Sequence, residues 1–268
     1  MNLAMSAGLL CALLFSCFVQ AQSIPKVKSL NPPPQTLLLV GNSFFYFNDS
    51  MHRYLGAMVA EGLPELRGKY RATSVTISGS GLNWHDMEAY LKPGSGMASY
   101  SFTADNKVVF NKFDRPFEGV IMNDCSQCPI HPQLKDLFHE FAKKHSEAVA
   151  RRGARPILFM TWAYQDAPQM TAQLAEQYTV AGNANDALVI PAGLAFAKSV
   201  AKSPGLNLYN ADKRHPTLAG SFLGAATIYA ALYGKSPGEL KYRAELDETT
   251  AAFLKNVAWE TVKEYYGR

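Results

Sequence analysis

Thr36-Leu-Leu-Leu-Val-Gly-Asn-Ser43 is the stretch on which the fold turns. Thr36 to Val40 is a short, continuous apolar run without polar alternation. That is the signature of a strand buried on both faces, as in a parallel sheet covered by helices. The run stops at Gly41-Asn42-Ser43, which places a serine on a turn directly after a buried strand. Such a serine can present its hydroxyl to solvent.

Upstream of this stretch the chain changes character twice. Residues 22–35 are polar and Pro-rich, with Pro32-Pro33-Pro34, and read as an extended linker. Ala7 to Val19 form an apolar run interrupted only by Ser16, too short to span a bilayer as a mature helix. Val19-Gln20-Ala21 supplies the small residues a signal peptidase needs, so residues 1–21 read as a signal peptide cleaved after Ala21. Leu14-Phe15-Ser16-Cys17 resembles a lipobox, which makes lipid attachment at Cys17 the alternative. The mature chain is expected outside the cytoplasm, periplasmic or secreted, and carries no later segment long and apolar enough to cross a membrane.

Downstream, residues 36–268 are read as one domain with a sizeable core, given 48% hydrophobic and 18% charged residues. Strands are expected at Arg71–Ile77, Gly119–Met122, Pro156–Thr161 and Ala187–Pro191. Helices are expected at Met51–Glu61, Pro132–Arg151, Gln169–Ala181, Pro216–Tyr233 and from an Asp247 N-cap onward. Lys92 to Asn111 reads as irregular, with a small hairpin at most. Strands alternating with helices specify a three-layer α/β/α sandwich, flavodoxin-like, with a parallel sheet. The net charge of +4 comes from scattered Lys and Arg, with no basic stripe, and gives no ground for nucleic-acid binding.

In such sheets ligands bind beyond the carboxyl ends of the strands. Four polar segments fall there or in late loops: Gly41-Asn42-Ser43, Gly79-Ser80-Gly81, Asn123-Asp124 and Asp212-Lys-Arg-His215. A serine becomes a nucleophile when a base takes its proton, and the base needs an orienting carboxylate. Asp212 and His215 are spaced so that one turn can carry orienter and base. Gly81 can offer an unobstructed backbone N–H and Asn123 a side-chain amide to an oxyanion.

LLLVGNSFFYFND and ADKRHPTLAGSFLGA resemble the first and last conserved blocks of the SGNH (GDSL-like) hydrolases, with Asn42 where many members have Asp. SGSGLNWHD stands where the second block supplies a glycine, and the whole is similar to a bacterial exported subgroup. The resemblance implies Ser43 as nucleophile, His215 as base and Asp212 as its partner. It implies an oxyanion hole from the Ser43 N–H, Gly81 (Gly79 if the alignment slips) and Asn123. The third block departs from the family's Gly-x-Asn-Asp, reading Ile121-Met122-Asn123-Asp124, so Ser126 or Gln127 are alternatives to Asn123. The implied reaction is ester hydrolysis through an acyl-serine, with no cofactor or metal, on a small-molecule or glycan ester; carbohydrate O-acetyl leads. Lipase-like or thioesterase activity and a non-catalytic glycan-binding protein of the same fold are the rival readings.

Cys125 and Cys128, spaced C-x-x-C, suit a local disulfide in an exported chain. His131 extends the motif toward zinc, but a fourth ligand is missing. Trp162 reads equally as an apolar wall of the site or as core. His85 reads as a surface or capped histidine, with a place facing the site as the alternative, and Phe44-Phe45-Tyr46-Phe47 as a buried aromatic cluster, with a pocket rim as the alternative.

Overall fold

Successive residues of the first strand, β1 (Thr36–Gly41), enter opposite halves of the core, as the period of two requires. Leu37 and Leu39 join one apolar cluster, and Leu38 and Val40 join the other. This is a computed structural model, and it describes residues 23–94, 100–111 and 115–268. The expected signal peptide and Cys17 lie outside those residues.

After β1 come a short helix α1 (Ser43–Tyr46), α2 (Met51–Gly62), β2 (Arg71–Thr76) and α3 (Met87–Leu91). A hairpin of β3 (Tyr100–Phe102) and β4 (Val108–Phe110) follows, exposed on every residue. Then come β5 (Gly119–Met122), α4 (Lys135–Arg151), β6 (Arg155–Phe159), α5 (Met170–Ala184), β7 (Leu188–Ile190), α6 (Ala192–Lys202), α7 (Leu218–Tyr233) and α8 (Glu248–Tyr266). The main sheet runs β2-β1-β5-β6-β7, parallel throughout. Counting only its own strands, that is the order 2-1-3-4-5 of flavodoxin-like folds. Helices α2, α6, α7 and α8 cover one face, and α3, α4 and α5 the other.

Helix α7 is buried from Ala219 to Leu232, which explains its small residues: an all-round apolar helix fits only inside. Asp247 caps α8 by accepting the Thr250 N–H at 2.9 Å, as expected. Three features differ from the sequence reading. Helix α6 was not expected. Helix α4 begins at Lys135 rather than Pro132, because Cys128–Ile130 first form a 3₁₀ turn. The Pro-rich segment is extended but is strapped to the domain. The Ser23 N–H and hydroxyl donate to the Glu176 carboxylate at 2.8 and 2.7 Å, Leu30 enters the core, and the Tyr233 hydroxyl donates to Pro34 O at 3.3 Å. Among the described residues no helix is long and apolar enough to cross a membrane.

Candidate active site

The strand order reverses between β1 and β5, and the carboxyl ends of those strands deliver the polar segments. Asn42 leaves β1 in extended conformation and caps α1, its Oδ1 accepting the Phe44 N–H at 3.1 Å. Ser43 is therefore the first helical residue. Its backbone N–H has no acceptor among the described residues, as expected at a helix start.

Asn42 also ties the neighbouring strand ends together. Its Nδ2 donates to Ser80 O at 2.9 Å and to Asp124 O at 3.1 Å, and its Oδ1 accepts from Asn123 Nδ2 at 3.3 Å. A carboxylate at this position accepts but cannot donate, so the amide is what closes this network.

Asn123 prolongs the β1–β5 ladder, its N–H donating to Val40 O at 3.1 Å. Its side chain fills space that only glycine leaves open: a Cβ on Gly41 would lie 1.6 Å from Asn123 Oδ1. That Oδ1 is buried and accepts no hydrogen bond among the described residues. One Nδ2 hydrogen is committed to Asn42. Of the alternatives, the Ser126 hydroxyl is engaged with the Tyr164 hydroxyl at 2.6 Å, and Gln127 is exposed.

The loop after β2 separates two glycines by role. Gly79 has φ +71°, which explains glycine there by backbone conformation alone. Gly81 is extended and packed, with a Cβ position only 2.7 Å from Asp124 Oδ1. Its N–H has no acceptor among the described residues. The loop is held by Leu82 N–H donating to Asp124 Oδ1 at 2.9 Å and by a hydrogen bond between His145 Nε2 and Leu82 O at 2.9 Å. His85 is not a surface residue. It is buried, with Nε2 3.0 Å from Ser80 Oγ, and burial together with the nearby His145 pushes its pKa down to about 4. It is a neutral brace for this loop at ordinary pH.

The fourth segment closes the site from the α7 side. His215 Nε2 is 2.8 Å from Ser43 Oγ, and its Nδ1 is hydrogen-bonded to Asp212 Oδ2. Asp212 Oδ1 accepts the backbone N–H groups of Arg214 and His215, both at 3.0 Å. The His215 hydrogen bond, with those two N–H groups, holds the Asp212 carboxyl down to about 2. The imidazole stacks on Phe47 at 4.3 Å and meets the edge of Phe44 at 5.9 Å. The aromatic run therefore divides: Phe44 and Phe45 are buried, Tyr46 is exposed and Phe47 carries the imidazole.

Trp162 is core. It is fully buried between Phe44 at 4.4 Å and Phe196 at 4.1 Å, and its indole N–H donates to Arg214 O at 2.9 Å. It thus anchors the loop bearing His215, as do Gln165 N–H to Lys213 O at 3.0 Å and Asn48 Nδ2 to Pro216 O at 2.9 Å. Cys125 and Cys128 are joined as a disulfide, which leaves zinc no thiolate, and His131 Nδ1 accepts the Gln133 N–H at 3.2 Å.

A serine, an imidazole and a carboxylate in relay, with free N–H groups beside the serine, form the constellation of a serine hydrolase. Neither a protein-family model nor a curated protein matches the chain. Solved structures do. A DUF4886 family protein from Bacteroides uniformis superposes with a TM-score of 0.55 at 16% identity, over 84% of this chain and 93% of its own. A candidate SGNH hydrolase from Slackia heliotrinireducens gives 0.54 at 20%, over 74% and 98%. The acetylxylan esterase Axe2 of Geobacillus stearothermophilus gives 0.52 at 16%, over 77% and 96%. The chain has the fold of the SGNH hydrolases.

Proposed function

We propose that the protein is a serine carboxylic ester hydrolase, and that the Ser43–His215–Asp212 relay carries its chemistry. His215 Nε2 takes the Ser43 hydroxyl proton as Oγ attacks the ester carbonyl, and the imidazolium is stabilised by Asp212. The oxyanion meets the N–H groups of Ser43 and Gly81 and the remaining amide hydrogen of Asn123. His215 then gives its proton to the departing alcohol. Water repeats the sequence on the acyl-serine and releases the acid. The observation that carries this reading is the 2.8 Å contact between Ser43 Oγ and His215 Nε2, with Nδ1 held by a carboxylate.

The proposed substrates are O-acetyl esters of carbohydrate, and the proposed site of action is outside the cytoplasm. The first is supported by the likeness in fold to an acetylxylan esterase. The second is supported by the apolar Ala7–Val19 run and by the Cys125–Cys128 disulfide. The test is labelling by a fluorophosphonate probe together with hydrolysis of p-nitrophenyl acetate. Ser43→Ala should abolish labelling and lower turnover by a factor on the order of 10³ or more, with the melting temperature unchanged. Near-normal turnover in that variant overturns the reading.

A further inference from the structure

Between the loop after β2 and the disulfide loop after β5 lies a cavity of about 230 Å³ that shares Gly81 with the proposed oxyanion hole. Its walls include Gly81, Asn83, Trp84, Asp124, the disulfide and Phe138. Trp84 is 59% exposed, whereas Trp162 is fully buried. A large aromatic ring left open to solvent three residues from a proposed oxyanion donor has no packing role to explain it.

Asp124 is the second unusual wall. It is 3% exposed, and its Oδ1 accepts from Leu82 N–H at 2.9 Å and Cys125 N–H at 2.7 Å. Its Oδ2 has no hydrogen-bond partner among the described residues. That oxygen is not among the fully buried atoms that lack a partner, so it stays open to solvent and can accept a hydroxyl. Burial pushes the Asp124 pKa up to about 6, so the group is mostly ionised at neutral pH. The cavity therefore pairs an apolar platform with an unmet acceptor. A fatty acyl chain would cover the tryptophan and leave the acceptor unmet. A sugar ring, apolar on its C–H face and bearing hydroxyl donors at its edge, satisfies both. The cavity is smaller than the usual ~300 Å³ lower bound for drug-sized ligands, which suits a single ring.

We infer that this cavity is a sugar subsite: one pyranose ring of an O-acetylated glycan lies on Trp84 and donates a hydroxyl to Asp124 Oδ2. The Asn83 side chain, packed beside Gly81, reaches the neighbouring hydroxyl. The inference rests on the ester-hydrolase reading and gives that site its substrate class. Because Gly81 is a wall of the cavity, a ring held there brings its acetyl group to the proposed oxyanion donors.

The experiment compares kcat/KM on acetylated xylo-oligosaccharides with that on p-nitrophenyl acetate. Trp84→Ala should lower the ratio of the two about tenfold, mainly through KM on the oligosaccharide, a typical effect of truncating an aromatic anchor. Trp84→Phe should restore most of it. Asp124→Asn keeps an acceptor for Leu82 and Cys125 but turns the free oxygen into a donor, and should lower the same ratio. Equal losses on both esters overturn the inference. So does a loss in Trp84→Ala that grows from p-nitrophenyl acetate to butyrate to octanoate, which marks an acyl pocket. A second arm is independent of turnover: the Ser43→Ala chain is titrated with the same oligosaccharide and followed by tryptophan fluorescence. Saturable quenching that disappears when Trp84→Ala is added supports the subsite. No quenching overturns it even where p-nitrophenyl acetate is cleaved. A wild-type chain that neither takes the fluorophosphonate nor cleaves any ester overturns the hydrolase reading instead, and the fluorescence arm still judges the subsite.

Discussion

The two halves of the relay are built differently. The nucleophile half grows out of the core: Gly41, Asn42 and Asn123 are held by strand ladder and buried amides, with no space for an added methyl group. The base half is a half-exposed loop on the α7 side, held mostly through its carbonyl oxygens by Trp162, Gln165 and Asn48. The first half combines close packing with buried hydrogen bonds, and the second rests mainly on hydrogen bonds. Packing tolerates almost no change of volume, whereas a hydrogen-bonded loop yields in graded steps.

The sharpest test of that contrast lies inside the loop. His215→Ala should lower kcat by a factor on the order of 10³ or more, since no neighbour replaces a proton carrier. Asp212→Asn should cost less, about 10², because the amide can still hold the Arg214 and His215 N–H groups. The pH profile divides their roles. Asp212, held down to about 2, stays ionised across the working range, so a loss of activity on mild acidification is not its own protonation. In Asp212→Asn the imidazolium formed during catalysis has lost its counter-charge. Equal kcat losses, or a profile flat from about pH 5 to 8, would break the assignment.

Gly41→Ala probes the packed half. The added methyl group must displace the Asn123 amide, so unfolding free energy should drop by about 3 kcal/mol and activity should fall with it, as measured by urea titration and aryl-ester turnover. The smallest effect belongs to Trp162→Phe, which keeps a ring between Phe44 and Phe196 but loses the donor to Arg214 O. It should cost about 1 kcal/mol of stability, with kcat reduced severalfold. A loss as large as that of Gly41→Ala would mean that the loop, too, is positioned by packing.

The strand-and-loop skeleton was legible because its signals are local. The Thr36–Val40 run announces a buried strand, Asp247 announces a helix start, and the Asp212–His215 spacing fits one turn. Helix α6 was hidden because Gly193 in its first turn reads as a breaker. In the structure that glycine permits close packing: a Cβ there would lie 2.2 Å from Thr161 O. The burial of His85 was not legible because nothing local marks a histidine packed against Ser80 and near His145. The indole contact to Arg214 and the Phe47 stack on His215 join residues far apart in the chain. Only tertiary structure brings such partners together, whatever the local pattern suggests.

Asn42 has a mechanical consequence. One side chain joins the ends of three strands, through Phe44, Ser80, Asn123 and Asp124. Those strand ends cannot drift independently, so a displacement of one is shared by all, and the donor groups keep their mutual spacing through thermal motion. The arrangement is set once, when the chain folds. No lid need close and no dipole need reorient as charge develops on the carbonyl oxygen, which keeps the reorganisation energy of each turnover low.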